Sequence, residues 1–144
     1  MFIGEYKHTM DDKKRVSLPA KFRRELGKKV VVTRGLDQCL FVYSHSEWRT
    51  FAGQLSKLSV GQSDSRAFSR FILSGATEID VDSAGRILIA DFLRNFAKLK
   101  ESIVINGVGG RVEIWDELLW KKYNNSVEQN ADAVAEKLGD IGMI

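Results

Sequence analysis

Aligning Gly4 with Gly75 brings Asp11 onto Asp82, Arg15 onto Arg86, Val16 onto Ile87, Leu18 onto Ile89 and Arg23 onto Arg94, all at a spacing of 71 residues. One inserted residue then shifts the offset to 72. At that offset Val31 lies over Ile103, Gly35 over Gly107, Val42 over Ile114, Tyr43 over Trp115 and Trp48 over Trp120. A chain that repeats itself at a fixed period is built from copies of one supersecondary unit. Whatever this chain folds into must accommodate the same unit twice.

Each copy reads as a strand ("GEYKHTM", "GATEIDV"), a charged turn, a short strand ("RVSL", "RILI"), a brief helix and a hairpin. The helices are "PAKFRREL", where Pro19 suits a first turn, and "ADFLRNFAKL". The hairpin turns fall near "GLDQ" and "GVGG", where glycine supplies the positive φ that tight connections demand. An amphipathic helix follows each hairpin, from near His45 and near Asp116. Only the first copy continues into a longer helical region, with Trp48, Phe51, Leu55 and Leu58, and then Phe68, Phe71 and Ile72, at helical spacing. These periodic aromatics are assigned to packing rather than to a cofactor.

The organisation that follows is a first unit over residues 1–52, a helical connector over 53–74, a second unit over 75–124 and a C-terminal tail or helix over 125–144. The fold class is α+β, mainly β. A strand-rich unit of roughly 50 residues has too little interior to stand comfortably alone, so the two are expected to share a core. In the tail, Val127, Ala131, Val134 and Leu138 line one helical face, suited to a neighbouring subunit or left mobile.

Composition narrows the function. The 144 residues are 44% apolar, a normal globular fraction, and no apolar run approaches the roughly 20 residues of a membrane span. No apolar signal segment follows Met1, and the single cysteine, Cys39, cannot form an internal disulfide, so a reducing cytoplasm is expected. Net charge is only +3, but residues 1–34 hold ten Lys and Arg against four Asp and Glu. Such a concentration suits phosphate binding, although a charge run can equally be a solvated face.

The charged turn decides between these. With ten Asp and ten Arg in the chain, D-x-x-x-R is expected about 0.7 times by chance. It occurs twice, at Asp11–Arg15 and Asp82–Arg86, in equivalent positions, each followed by an apolar-x-apolar strand and by another Arg eight residues on. Either copy alone reads as an internal Asp–Arg ion pair, worth under about 1 kcal/mol at a surface. Lys13 and Lys14, inside the first turn, leave its positive charge unbalanced and favour a ligand. In that reading Arg15 and Arg86 are forked donors for guanine or phosphate, Lys13 and Lys14 contact phosphates, and Asp11 and Asp82 shape the turns. The first copy is then the stronger binder, and Arg86 remains open to a structural role between the units.

Enzymatic and metal chemistry find no support. His8, Cys39 and His45 lack the paired spacing of zinc sites. "GVGGR" lacks the Lys-Ser/Thr of a P-loop, and the Asp11–Asp12 and Asp80–Asp82 carboxylates lie beside cations that keep them ionised. Neither a catalytic residue nor a cofactor or metal is expected.

At the paired motif, and at "GRILI" from Gly85 to Ile89, the sequence resembles the MraZ family, whose two halves are related to AbrB-type swapped-hairpin DNA-binding units. The resemblance spans nearly the whole chain. It implies two pseudo-symmetric AbrB-like swapped-hairpin units around a β-barrel-like core, with Asp11, Arg15, Asp82 and Arg86 at the DNA. It also implies a cytoplasmic, nucleoid-associated repressor of the bacterial division and cell-wall gene cluster. Such a repressor binds short tandem boxes in double-stranded promoter DNA, its own promoter included, as an octameric or dodecameric ring. RNA-binding or antitoxin-like AbrB relatives, and a purely structural ring, are the alternatives. Two departures stand out: Lys14 where a Gly often precedes the Arg, and Ala90–Asp91 where a Pro is common.

Overall fold

The structure, a computed structural model, describes residues 1–144. The first copy contains β1 (Phe2–Thr9), β2 (Arg15–Ser17), α1 (Ala20–Leu26), β3 (Lys29–Arg34), β4 (Leu40–Ser44) and α2 (His45–Leu55), followed by α3 (Ser63–Ser74). The second contains β5 (Thr77–Asp80), β6 (Arg86–Leu88), α4 (Asp91–Ala97), β7 (Ser102–Gly109), β8 (Val112–Asp116) and α5 (Glu117–Asp140). Pro19 stands one residue ahead of α1 rather than within its first turn, and Ala90 holds the same place before α4. Their backbones agree, at φ −52°, ψ 136° and φ −61°, ψ 151°. The extended geometry that proline favours is therefore available to alanine without it.

The copies exchange strands. β1 pairs with β7 of the other copy, and β5 pairs with β3, giving a six-stranded antiparallel sheet in the order β1-β7-β8-β4-β3-β5, while β2 and β6 form a separate ribbon. Replacing every strand by its counterpart reverses this order onto itself. The pseudo-twofold axis can be located by residue, because on it equivalent positions pair with each other. Phe41 faces Glu113 between β4 and β8, and Val16 faces Ile87 between β2 and β6.

This symmetry corrects the alignment of β3 with β7. Val30 pairs with Ile79 and Ser44, whereas Ile103 pairs with His8 and Asp116. Val30 is therefore the equivalent of Ile103, an offset of 73, and the match of Val31 to Ile103 is one residue out, as is that of Gly35 to Gly107. In β4 and β8 the offset of 72 holds. Two residues, Leu99 and Lys100, are added after α4, and the second hairpin is one residue shorter. Alternation could not reveal the slip, because Val30, Val31 and Val32 are all buried and a strand covered on both faces shows no period of two.

One core serves both copies. On one face of the sheet Val30, Val32, Leu40, Val42 and their counterparts Ile103, Ile105, Val112 and Ile114 pack against Val16, Leu18, Ile87 and Ile89 of the ribbon, with Phe22 and Leu26 of α1 and Leu93 and Ala97 of α4. Edges β1 and β5 do not pair, so the sheet stays open and the ribbon and helices complete the enclosure. On the opposite face Phe41, Tyr43, Val104 and Trp115 meet Trp48, Phe51 and Trp120 from α2 and α5. Both of these helices start on a capped position, Ser44 Oγ accepting from Glu47 N and Asp116 Oδ2 accepting from Leu119 N. Helix α5 continues unbroken to Asp140 with no buried residue, so the second copy also runs on into a long helix, contrary to the expectation that only the first does.

Candidate nucleic-acid interface

Each charged turn is closed by its aspartate. Asp11 Oδ1 accepts the backbone N–H groups of Lys13 (3.0 Å) and Arg15 (2.8 Å), and Oδ2 accepts Arg15 Nε (2.8 Å). Asp82 does the same with Ala84 (2.9 Å), Arg86 (2.8 Å) and Arg86 Nε (2.9 Å). The main chain matches as well, with Lys14 N donating to Asp11 O and Gly85 N to Asp82 O. The backbone N–H of Arg15 or Arg86, followed by the guanidinium itself, holds each carboxyl below the usual carboxylate range.

A carboxylate whose folded pKa is depressed contributes stability above its unfolded value of about 3.9 and loses it as pH falls through the folded value. The turns are therefore expected to persist unchanged from neutrality to about pH 4 and to open below it. In a thermal-denaturation series against pH, Asp82→Asn should show a smaller acid loss than the wild-type chain. An identical acid profile would mean that this carboxylate does not secure the turn.

The swapped topology brings both turns to one ribbon. Arg15 lies opposite Leu88 and Ser17 opposite Arg86, while Val16 and Ile87 point into the core. The copies also brace each other: Ile89 N donates to Lys14 O and Leu18 N to Gly85 O, and Arg86 NH1 lies 3.9 Å from Asp11 Oδ2 across the axis. Because each arginine engages its aspartate through Nε, its terminal NH2 groups keep the fork that matches guanine O6 and N7 or a phosphate. Both guanidiniums are partly exposed, and Lys13 and Lys14 are exposed.

The same duplication appears in comparison with known proteins. The model of the MraZ protein family, which is described as antitoxin-like, matches twice, over residues 1–71 and 72–140. The chain belongs to the MraZ family. A MraZ relative from Alkaliphilus oremlandii is 49% identical over 99% of this chain and all of its own length, and one from Carboxydothermus hydrogenoformans is 48% identical over 97% and 98%. A relative from Thermoanaerobacter sp. strain X514 is 47% identical over 99% of the chain and all of its own. All three are named transcriptional regulator MraZ.

Against the usual MraZ pattern, the departure at Lys14 leaves the turn intact at a cost. Lys14 adopts the left-handed φ of 63° where its counterpart Gly85 has 78°. A side chain in this region costs on the order of 1 kcal/mol, which glycine avoids. Lys14→Gly is expected to raise the unfolding free energy by up to about 1 kcal/mol, less the extra chain entropy that glycine loses on folding, and to weaken the salt dependence of DNA binding. Denaturant titration and salt-dependent anisotropy measure the two effects. Lower stability would contradict the strain assignment.

The arginine eight residues beyond each motif has a structural use. Arg23 Nε donates to Leu18 O at 2.8 Å and Arg94 NH1 donates to Ile89 O, so each ties its helix to the end of the ribbon. Motif reading missed Ser17 and Leu88, which share the outer face of the ribbon with the arginines. The signal was present in the polar-facing position of "RVSL" and "RILI". Leu88 is 55% exposed, an apolar contact of the kind that meets thymine methyl groups. Cys39 is buried, its S–H donating to Leu36 O, and burial pushes the thiol pKa up, away from nucleophilic use. No helix is long and apolar enough to cross a membrane.

Proposed function

We propose that this MraZ chain is a sequence-specific DNA-binding transcriptional regulator, and that it represses the bacterial division and cell-wall gene cluster through boxes that include its own promoter. The observation carrying this reading is the ribbon, on which two aspartate-closed turns present two forked cations side by side, each anchored on its own aspartate through Nε. A two-stranded ribbon is narrow enough for the major groove, where Arg reads guanine. In this reading Arg15 and Arg86 contact bases, Lys13 and Lys14 neutralise phosphates, and Asp11 and Asp82 hold the arginines in place. The names of its relatives point to transcription as the process.

The chain is further proposed to work as a closed ring of eight or twelve copies on the nucleoid. Exposed apolar residues of α3 and of the segment that links it to α2, Leu73 in the former and Leu58 and Val60 in the latter, offer surface for contacts between copies. A ring would present ribbons at regular intervals, so tandem boxes bound by several protomers would gain affinity by orders of magnitude over single ones through raised local concentration. Moving one box by about 5 bp, half a helical turn, would place it on the far side of the duplex and remove that gain. A reporter driven by the upstream region of its own gene, together with binding to one, two and three boxes in and out of phase, tests this function. Expression unchanged by the protein would refute repression, and affinity indifferent to number and phase would refute joint engagement. A monomer in light scattering at micromolar concentration would refute the ring.

The antitoxin-like description of the family keeps an RNA-binding or antitoxin-like role as the second reading. It predicts RNA affinity at least equal to that for promoter DNA.

A further inference from the structure

The second turn has no lysine of its own, since Ala84 and Gly85 stand where the first has Lys13 and Lys14. Strand exchange compensates for this. The Asp82–Arg86 turn packs against α1 of the first copy: Gly85 lies so close to the Arg23 guanidinium that a Cβ there would collide with it. Between α1 and this turn runs an open cleft lined by three cations, Arg23, Arg24 and Lys28, against one carboxylate, Asp82, already engaged by Arg86. The pseudo-symmetric cleft beside the first turn is balanced, with Lys14, Arg94 and Lys100 facing Asp11, Asp12 and Glu101.

The two clefts differ at defined positions. Lys28 and Glu101 are equivalent, because Val81 N donates to Lys28 O and Met10 N to Glu101 O. Arg24 is matched by Asn95. Arg23 is fixed on Leu18 O, whereas the exposed side chains of Arg24 and Lys28 form no hydrogen bond or ion pair within the chain. Two free cations in an open cleft beside the second turn suit a sugar-phosphate strand, whose affinity is governed by counterion release.

We infer that Arg24 and Lys28 form a phosphate-backbone contact of double-stranded DNA that serves the second turn, so that the first copy supplies the positioning cations for both halves of the ribbon. This rests on the DNA-binding reading and adds a surface to it. It gives each protomer a polarity on the duplex, with lysines from the turn on one side and cations from α1 and the residues just after it on the other.

The test is binding to two duplexes, the upstream region of the chain's own gene and a shuffled duplex of equal composition, each titrated across salt concentrations. For the double variant Arg24→Ala, Lys28→Ala, affinity should fall about tenfold for both duplexes, with their ratio preserved. The slope of log K against log salt should shrink by about two for each protomer engaged. Glu101→Lys, which places a cation in the balanced cleft, should raise affinity for both duplexes and steepen the slope. Unchanged affinity and slope in the double variant, with wild-type binding intact and Arg15→Ala defective, would overturn the inference alone. A loss confined to the gene's own duplex would overturn it too, because backbone contacts carry no sequence preference. Wild-type protein that binds neither duplex would overturn the DNA-binding reading itself.

Discussion

Arg15→Ala and Arg86→Ala are each expected to lower affinity for the specific duplex by about 10- to 100-fold while leaving the fold intact, since one bidentate contact to guanine is worth roughly 1–3 kcal/mol. Affinity for a shuffled duplex should fall far less. The geometry assigns the two substitutions comparable effects. Both arginines are anchored through Nε on their aspartates at nearly the same distance, and their side chains are 29% and 33% exposed. Sequence alone favours the first copy, because its lysines lie next to Arg15 in the chain. The cations that accompany Arg86 are brought there by topology, from α1 and its C-terminal end some 60 residues earlier in the chain. An Arg86→Ala variant that keeps full specific affinity but loses thermal stability would restrict this side chain to a structural role, in which its 3.9 Å approach to Asp11 braces the two turns against each other.

The largest effect on stability is expected from Gly107→Ala. Gly107 sits where β7 faces β1, and a Cβ there would lie 2.5 Å from the carbonyl carbon of Phe2 and 2.9 Å from Ile3 Cα. These are backbone atoms of a hydrogen-bonded partner strand and cannot rotate away. The added methyl should force β1 from its register and cost about 3 kcal/mol, the upper range for overpacking, or roughly 10 °C in Tm for a chain of this size. The same substitution at Gly53, within α2 with no atom inside 4 Å of a new Cβ, should instead stabilise by up to about 1 kcal/mol through helix propensity. Chemical denaturation of the two variants separates a steric role from a general dislike of alanine. Equal effects would mean that the close approach of β1 to β7 does not limit position 107.

Much of this architecture was legible because the chain states it twice. The repeat, the order of strands and short helices and the aspartate-closed turns all follow from local chemistry, in which a carboxylate reaches N–H groups two and four residues ahead. What was not legible is non-local. The register of β3 against β7 was obscured by a valine run covered on both sides. Ser17 and Leu88 acquire their place on the outer face only when β2 pairs with β6. Arg24 and Lys28 read as ordinary surface cations until strand exchange sets them beside the other copy's turn. The arginine eight residues past each motif marked the two copies as equivalent, but its partner, a strand-end carbonyl in the same copy, is set by the packing of helix on ribbon.

Competition binding tests the central claim most directly. Labelled duplex from the region upstream of the chain's own gene is displaced by the same duplex, by a shuffled duplex and by RNA of matching sequence, at physiological salt. A regulator that reads bases through Arg15 and Arg86 should favour the unlabelled specific duplex by roughly 10³-fold or more over the shuffled one, and RNA should compete no better than the shuffled duplex. Equal competition by all three would contradict sequence-specific regulation, and preference for RNA would transfer the ribbon to the second reading.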